Sequence, residues 1–317
     1  MKKRIISVLL ATVFALSVIG CGTKDTKEQD AYRQYGITCM ESGKYEDAVK
    51  AFQNALGESI GHIGEKELDI CFYKAKAQAL DGKTKDALAT YNAIIKYNKD
   101  ARAYYLRGDL YMDMGEEKKG RADFESAVQH GKKNYEIYIG IYESLSRHEK
   151  KDEGQKYLSA AMEIKGDKPE DELYKGRISY LLGENKDAIS YLEKAKEHKQ
   201  MLASYYLGLA YDANGDSDKA KKCIAEYIKS GVATSYDLYE LGMQEMQDGN
   251  YKNALTYFNS GLELEKVPNK QNLMKSAIAA YEYSGDFDSA KKMMMTVDTA
   301  VSMATEPLRA MLSHPSA

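Results

Sequence analysis

Apolar and small residues recur along the chain at the spacing of a helical face. In the stretch ARAYYLRGDLYMDMG they follow the i, i+3, i+4, i+7 pattern that one side of an α-helix requires. The positions are Ala101, Tyr104, Tyr105, Gly108, Tyr111 and Met112. Gly115 follows and, because glycine tolerates left-handed backbone angles, is expected to end the helix. A second face of this kind lies just beyond it, at Gly120, Phe124, Ala127 and Val128. The pattern predicts two antiparallel helices joined by a tight turn.

This pattern occurs eight times along the chain. Segments such as ESGKYEDAVKAF, LDGKTKDALATY and QDGNYKNALTYF align on a glycine, a short polar stretch and then a small residue. The small residues are Ala48, Ala87, Gly120, Gly154, Ala188, Ala220, Ala254 and Ala290. Their successive separations are 39, 33, 34, 34, 32, 34 and 36 residues. Because one helical hairpin cannot bury its own apolar face, a repeat of this length predicts hairpins that pack on one another.

The copies resemble the tetratricopeptide repeat. That family has small residues at about positions 8, 20 and 27 of the repeat, large ones at about 11 and 24, and frequently Gly at 15. The third copy matches with Gly108, Tyr111, Gly115, Gly120, Phe124 and Ala127. The fourth copy lacks the turn glycine, and the second departs at Gln78 and Ile94. The resemblance covers residues 29–300 and implies an all-α, right-handed superhelical solenoid of about eight helix–turn–helix repeats.

Two local motifs are explained by the repeat. The Arg107-Gly108-Asp109 triplet resembles an adhesion signal, but Gly108 occupies the position of helix contact, so the triplet is predicted to lie in mid-helix. The segment DANGDSDKA begins like a calcium-binding loop. Its sixth and twelfth residues are Ser217 and Cys223, however, where an EF-hand needs Gly and Glu. Neither adhesion nor calcium binding is therefore predicted.

Residues 1–20 have the pattern of a signal peptide. MKKR supplies positive charge, and IISVLLATVFALSVIG supplies an apolar region that is short for a membrane span. The run Val18-Ile19-Gly20-Cys21 resembles the lipobox of bacterial lipoproteins, which implies cleavage before Cys21 and a diacylglyceryl group on its sulfur. Lipid chains would then hold the protein to the bilayer of a cell membrane, facing outside the cytoplasm. The alternatives are an ordinary secretory signal and an uncleaved anchor. Residues 21–28 are predicted to be a polar tether.

Composition and motifs narrow the classes of function. The formal net charge is −3, from 45 basic and 48 acidic residues that are interspersed, whereas nucleic-acid binders carry a basic stripe. Beyond Cys21, the cysteines Cys39, Cys71 and Cys223 lack disulfide or metal-site spacing and are expected to be small buried residues on helices. No HExxH, CxxC, GxSxG or P-loop motif occurs. The sequence therefore predicts no enzyme, no cofactor, no metal site and no nucleic-acid partner.

The resemblance to the tetratricopeptide family also implies where a ligand would bind. In that family the first helix of each hairpin lines the concave groove, through about positions 2, 5, 9 and 12. The candidate residues here are Arg102, Tyr105, Asp109, Met112, Arg177, Tyr180, Tyr205, Leu209, Tyr236, Tyr239 and Met243. Tyr and Met suit adaptable protein-binding surfaces; for each residue the alternative is packing between neighbouring first helices. Nearby acidic residues, such as Glu136 and Glu143, suggest a basic or amphipathic ligand.

The predicted function is a non-catalytic scaffold that binds a protein or peptide in this groove, close to the membrane. The alternative is a structural subunit or assembly factor of an envelope complex, whose contacts would lie on the convex face or at the ends. Residues 301–317 are predicted to form a capping helix and a disordered tail, because an array of repeats must shield its last apolar face.

Overall fold

The computed structural model describes residues 26–59, 63–166, 168–265, 267 and 269–303. These residues form sixteen α-helices and no strand, which confirms the all-α prediction. Odd-numbered helices are called first helices and even-numbered ones second helices. They are α1 (Thr26–Glu41), α2 (Tyr45–Gly57), α3 (Glu65–Leu80), α4 (Thr84–Asn98), α5 (Ala101–Asp113), α6 (Glu117–His130), α7 (Tyr135–Arg147), α8 (Lys151–Met162), α9 (Pro169–Leu182), α10 (Asn185–Glu197), α11 (Leu202–Ala213), α12 (Ser217–Lys229), α13 (Ser235–Gln247), α14 (Tyr251–Leu262), α15 (Lys270–Tyr283) and α16 (Phe287–Met303).

The chain divides into two compact units. The first unit contains the described residues up to Ile37 together with Tyr45–Val232, and the second contains Thr38–Lys44 together with the described residues from Ala233 onward. In both units a first helix packs against the second helix that follows it, and the hairpins α5–α6 and α13–α14 are examples. The units therefore share one building block.

Glycines on the first helices allow the two helices of a hairpin to approach closely. A Cβ atom on Gly108 would lie 2.8 Å from Cδ1 of Phe124 and 3.0 Å from the carbonyl oxygen of Gly120. In the second unit, a Cβ on Gly242 would lie 2.2 Å from Cε1 of Phe258. The distances of 2.8 Å to Phe124 and 2.2 Å to Phe258 are too short for real atoms. The glycines therefore recur because a large ring of the partner helix occupies the space that a side chain would need, as the sequence predicted.

The turns inside the hairpins use left-handed backbone angles. Seven turn glycines have positive φ, which confirms the role expected of Gly115; they are Gly43, Gly82, Gly115, Gly183, Gly215, Gly249 and Gly285. The fourth hairpin has no glycine at this position, and Glu149 adopts a φ of 60° there. The backbone geometry of the turn is thus retained in the one hairpin whose sequence opposes it.

Apolar side chains join neighbouring hairpins within each unit. In the first unit, Phe124 and Ala127 of α6 pack with Ile137, Ile141 and Leu145 of α7. In the second unit, Phe258 of α14 packs with helix α15 through a cluster that is fully buried; its members are Ala254, Phe258, Leu273, Ala277 and Ala280. Burial of each large side chain contributes about 1.5–3 kcal/mol. Packing between hairpins therefore supplies the core that no hairpin has alone.

The last described hairpin, α15–α16, presents apolar side chains to solvent. Met294 stands at the repeat position that Phe124 and Phe258 occupy in their hairpins, yet it is 48% exposed where both phenylalanines are fully buried. Phe287 and Met295 on the same helix are also exposed. No described helix follows α16, so the face that packs on a further hairpin elsewhere has no such neighbour among the described residues.

The Arg107-Gly108-Asp109 triplet lies within α5, in mid-helix as predicted. The guanidinium of Arg107 donates to both carboxylate oxygens of Asp123 on α6, at 2.7 and 2.5 Å. Asp109 accepts from Arg147 of α7 at 2.5 Å. Both charged residues of the triplet are therefore engaged in helix contacts rather than displayed on a loop.

The described helices extend slightly beyond the predicted boundaries of the repeats at residues 29 and 300. Residues 1–20, Cys21 and residues 304–317 lie outside the described residues. Helix α1 begins at Thr26, three residues before the predicted start of the repeats, because buried Gln29 donates to Glu67 of α3 at 2.9 Å and holds the first turn. Residues 301–303 continue α16. Among the helices that the structure describes, none has the length and apolar composition needed to cross a membrane.

Candidate binding face and neighbouring cavities

The candidate residues lie on first helices of both units. In the first unit α5 carries Arg102, Tyr105, Asp109 and Met112, α9 carries Arg177 and Tyr180, and α11 carries Tyr205 and Leu209. In the second unit α13 carries Tyr236, Tyr239 and Met243. We call these eleven side chains, taken separately in each unit, the first-helix face. They differ widely in burial, and burial decides which of them a ligand can reach.

Two of the candidates are core residues. Met112 is 3% exposed and packs with Phe124 and Ile141, and its sulfur fills the space beside Gly120. Tyr205 is 7% exposed, with its ring centroid 5.3 Å from that of Tyr227 on α12. Neither side chain is open to a ligand. For these two positions the packing alternative applies, because Met112 fills the space beside Gly120 and the Tyr205 ring packs against the buried Tyr227 ring.

Tyr105 connects two neighbouring first helices. A Cβ atom on Gly140 of α7 would lie 2.6 Å from Cζ of the Tyr105 ring, so the ring lies directly over this glycine. Burial, followed by the charges of Asp109 and Glu143, raises the pKa of Tyr105 well above its ordinary value. The phenol is therefore neutral at any physiological pH. Half of this side chain serves helix packing, and the remainder faces solvent.

The charged candidates of α5 and α9 are mostly paired within the protein. Arg177 forms ion pairs with Glu136 at 3.2 Å and with Glu143 at 3.1 Å, both on α7. Burial alone would lower the pKa of Arg177, but Tyr206, Glu136 and Glu143 hold it above its ordinary value. Asp109 is paired with Arg147, as described above. Asp109, Glu136 and Glu143 are thus neutralised by arginines of adjacent first helices.

Tyr180 and Leu209 remain half-buried and accessible in the first unit. Burial, followed by the charge of Asp212, raises the pKa of Tyr180, so its hydroxyl stays neutral and can donate a hydrogen bond. Both side chains present apolar surface with one polar atom at the tip of the tyrosine.

The second unit contributes Tyr236, Tyr239 and Met243. Tyr236 is 53% exposed. Tyr239 and Met243 are half-buried against the α14–α15 core, with the Tyr239 ring centroid 6.2 Å from that of Phe258. Ser276 of α15 donates to the Met243 sulfur at 3.6 Å. This part of the first-helix face is apolar and aromatic.

A cavity of about 600 Å³ lies in the first unit, lined by the second helices α6 and α8 and by Tyr138 of the first helix α7. Its walls are Val128, Tyr138, Tyr157 and Ala160, with Arg121, Glu153 and Lys156 at the rim. Arg121 of α6 donates to Glu153 of α8 at 2.8 and 3.0 Å. Hydrogen bonds from Arg121 lower the pKa of Glu153. The cavity is therefore an apolar recess bounded by a charged pair.

A larger cavity, of about 810 Å³, lies between the start of α5 and the loop that joins α6 to α7. It is lined by Asp100, Ala101, Arg102, Gln129, His130, Gly131, Lys132, Lys133 and Asn134. Sequence reasoning predicted Arg102 as a candidate but missed Lys132 and Lys133. Two adjacent lysines in a loop do not by themselves indicate a binding site. Their position beside the start of α5 becomes visible only in the folded structure.

The described residues contain no cluster of three or more His, Cys, Asp or Glu that could hold a metal ion. Cys39, Cys71 and Cys223 form no disulfide bond with any described residue. Cys39 and Cys223 are buried as predicted, whereas Cys71 is only half-buried. Burial raises the pKa of Cys71 and of Cys223, so both thiols are protonated and unreactive at neutral pH.

Paired helices, left-handed turns and packing between hairpins define an all-α protein of helical-hairpin repeats. Two segments match the family model of the tetratricopeptide repeat, residues 101–129, which cover α5–α6, and residues 202–230, which cover α11–α12. The chain therefore contains tetratricopeptide repeats. A search of curated proteins found no match.

Three solved structures are similar to this chain. Yeast Tom70 is 16% identical over 92% of this chain, with a TM-score of 0.50, and the match spans 61% of Tom70. A tetratricopeptide repeat protein from Parabacteroides merdae is 12% identical over 80% of this chain and 99% of its own, with a TM-score of 0.46. The C-terminal part of a repeat protein from Cytophaga hutchinsonii is 14% identical, over 77% and 98%, with a TM-score of 0.38. At these identities the similarity concerns the fold.

Proposed function

We propose that this chain is a non-catalytic scaffold that binds a protein or peptide on its first-helix face. The observation that carries the proposal is the accessible apolar and aromatic surface on first helices, from Tyr180 and Leu209 in the first unit and from Tyr236, Tyr239 and Met243 in the second. Surfaces of this composition recur where proteins bind one another. The ion pairs of Asp109 and Arg177 reduce the support for a basic ligand and favour an amphipathic one.

We further propose that the scaffold is a lipoprotein held to a cell membrane, outside the cytoplasm, by lipid on Cys21. The support is the sequence of residues 1–21, which combines a basic start, an apolar stretch and a cysteine after Gly20. Such an anchor keeps the scaffold near envelope partners and raises their effective concentration.

Capture from envelope extract tests the binding face. Tyr236→Ala is expected to reduce the amount of partner that is captured, because it removes from the first-helix face a side chain that is 53% exposed. Tyr97→Ala is the matched control, since Tyr97 is 55% exposed but lies on the second helix α4. We expect Tyr236→Ala to reduce capture about tenfold, the effect of a central aromatic anchor. Equal capture by wild type and both variants would rule out this face.

A structural subunit of an envelope complex is the second candidate. The recess of about 600 Å³ favours it, because Val128 of α6, Tyr138 of α7 and Tyr157 of α8 provide an apolar contact made of residues outside the first-helix face. Stoichiometric co-purification that Tyr157→Ala abolishes and Tyr236→Ala leaves unchanged would support this function over the first.

A further inference from the structure

Arg102 differs from the other described arginines. Six arginines lie within the described residues, and five of them pair with a carboxylate on another helix. These five are Arg33, Arg107, Arg121, Arg147 and Arg177. Arg102 forms no ion pair within the described part of the chain, although it is exposed. Because the other five described guanidinium groups are each paired, Arg102 is the described arginine that stays available to a negatively charged ligand.

The Arg102 side chain is nevertheless held in place. Its guanidinium carbon lies 3.5 Å from the centroid of the Phe72 ring on α3, in a cation–π contact. This contact fixes the plane of the guanidinium against the ring while its hydrogen-bond donors stay available. The group is therefore arranged for a ligand before the ligand arrives, which reduces the entropy that binding costs.

Two lysines add positive charge to the same cavity. Lys132 and Lys133 are exposed on the α6–α7 loop and, like Arg102, form no ion pair with any described residue. His130 on the same wall stacks on Tyr104, with ring centroids 5.3 Å apart. The lining of the cavity of about 810 Å³ thus includes three cations without an ion pair and the imidazole of His130.

The acidic and polar residues at the rim already have other roles. Asp100 accepts hydrogen bonds from the backbone amides of Arg102 and Ala103 at 2.8 and 3.2 Å, which caps α5. Asn134 accepts from the backbone amide of Glu136 at 3.1 Å and caps α7. These caps occupy amides that would otherwise bind a phosphate at a helix start. Recognition of an anion in the cavity is left to the side chains.

We propose that this cavity binds the carboxylate groups of an acidic peptide segment. The planar fork of Arg102 matches a carboxylate through two parallel hydrogen bonds, and Lys132 and Lys133 would neutralise a second acidic residue. The volume exceeds that of a single ion and accommodates several residues next to Tyr104. The inference rests on the proposed function in that the partner is a peptide, and it specifies that peptide's chemistry as acidic rather than basic.

A selection with a phage library of random dodecapeptides tests the proposal. The full-length protein in detergent is the target, and the variants are Arg102→Gln and the double variant Lys132→Gln, Lys133→Gln. The matched control is Lys85→Gln with Lys186→Gln, which removes the same charge from two exposed lysines elsewhere in the first unit. Selected peptides are expected to be enriched in Asp and Glu. Each site variant should weaken binding of a selected peptide about tenfold, and the control should leave it unchanged.

Three results would overturn the proposal. They are a selection without enrichment of acidic residues, equal losses in the site and control variants, and unchanged binding when Glu and Asp of a selected peptide become Gln and Asn. A lipid ligand would appear as binding of Cys21→Ala protein to phosphatidylglycerol vesicles, lost in Arg102→Gln, without peptide enrichment. The proposed scaffold function is judged separately, by capture with Tyr236→Ala, so either idea can fail alone.

Discussion

At the scale of single residues, Glu149 takes the backbone conformation that glycine takes in the seven other turns. Its φ is 60°, and a residue with a Cβ atom pays about 1 kcal/mol or more for this conformation. Glu149→Gly is therefore expected to raise the free energy of unfolding by about 1 kcal/mol, measured by urea denaturation. Glu149→Gln keeps the strain and serves as the control. A Gly variant no more stable than the Gln variant would contradict the assignment of strain.

Gly242 shows the opposite case, a glycine required by space. In Gly242→Ala the new Cβ would lie 2.2 Å from Phe258, so the ring must move and the variant should lose about 1–3 kcal/mol of unfolding free energy. Gly57→Ala is the matched control, because Gly57 also lies in a helix and has nothing within 4 Å of the added atom. Thermal denaturation of both variants separates the two cases. Equal melting temperatures of Gly242→Ala and Gly57→Ala would mean that the Phe258 ring moves aside without loss of stability.

Sequence reasoning at this scale succeeded where a local rule applies and failed where burial depends on a neighbour. The pairing of Gly108 with Phe124 follows from residue sizes at fixed repeat positions. The same positions could not show that Met112 is buried while Leu209 is accessible, because that depends on what lies across the hairpin. Lys132 gave no signal, since its cavity exists only once α5 and the α6–α7 loop are neighbours.

At the scale of elements, ion pairs link helices of neighbouring hairpins. Arg121 of α6 and Glu153 of α8 are an example, and hydrogen bonds from Arg121 lower the pKa of Glu153 in the folded state. A carboxyl group with a lowered folded pKa stabilises the protein above its unfolded pKa, which is about 4.3. That contribution disappears as the pH falls through the folded pKa. The link between α6 and α8 is therefore acid-sensitive.

Glu153→Gln tests this link. At pH 7 the variant should be less stable than wild type by about 0.5–1 kcal/mol, the range for a partly exposed pair. The difference should shrink as the pH falls below about 4. Urea denaturation across this range gives the measurement, and Glu46→Gln, which removes one member of an exposed pair with Lys50, should show a smaller difference throughout. If the difference in unfolding free energy between wild type and Glu153→Gln stayed constant below pH 4, the ionised carboxylate of Glu153 could not be its cause.

At the scale of the whole molecule, the repeats account for the chain from α1 to α16, and the remaining question is its attachment. If Cys21 carries lipid, wild-type protein from bacterial membranes should enter the detergent phase of a two-phase extraction. Cys21→Ala should shift it to the aqueous phase, with the circular dichroism of the described helices unchanged because the first of them begins at Thr26. Mass spectrometry of the N-terminal peptide identifies the modification. An unmodified Cys21 in membrane-free protein would contradict the anchor.

The exposed thioether of Met294 has a chemical consequence. Methionine oxidation follows access of the oxidant to sulfur, so hydrogen peroxide should convert half-exposed Met294 and exposed Met295 to sulfoxides well before buried Met112. A sulfoxide is polar and would therefore weaken the packing of any apolar segment on this helix surface. Among the described residues, oxidation should therefore begin at Met295 and Met294 of the last hairpin and at the similarly exposed Met114 and Met201, and peptide mass increments of one oxygen would record it.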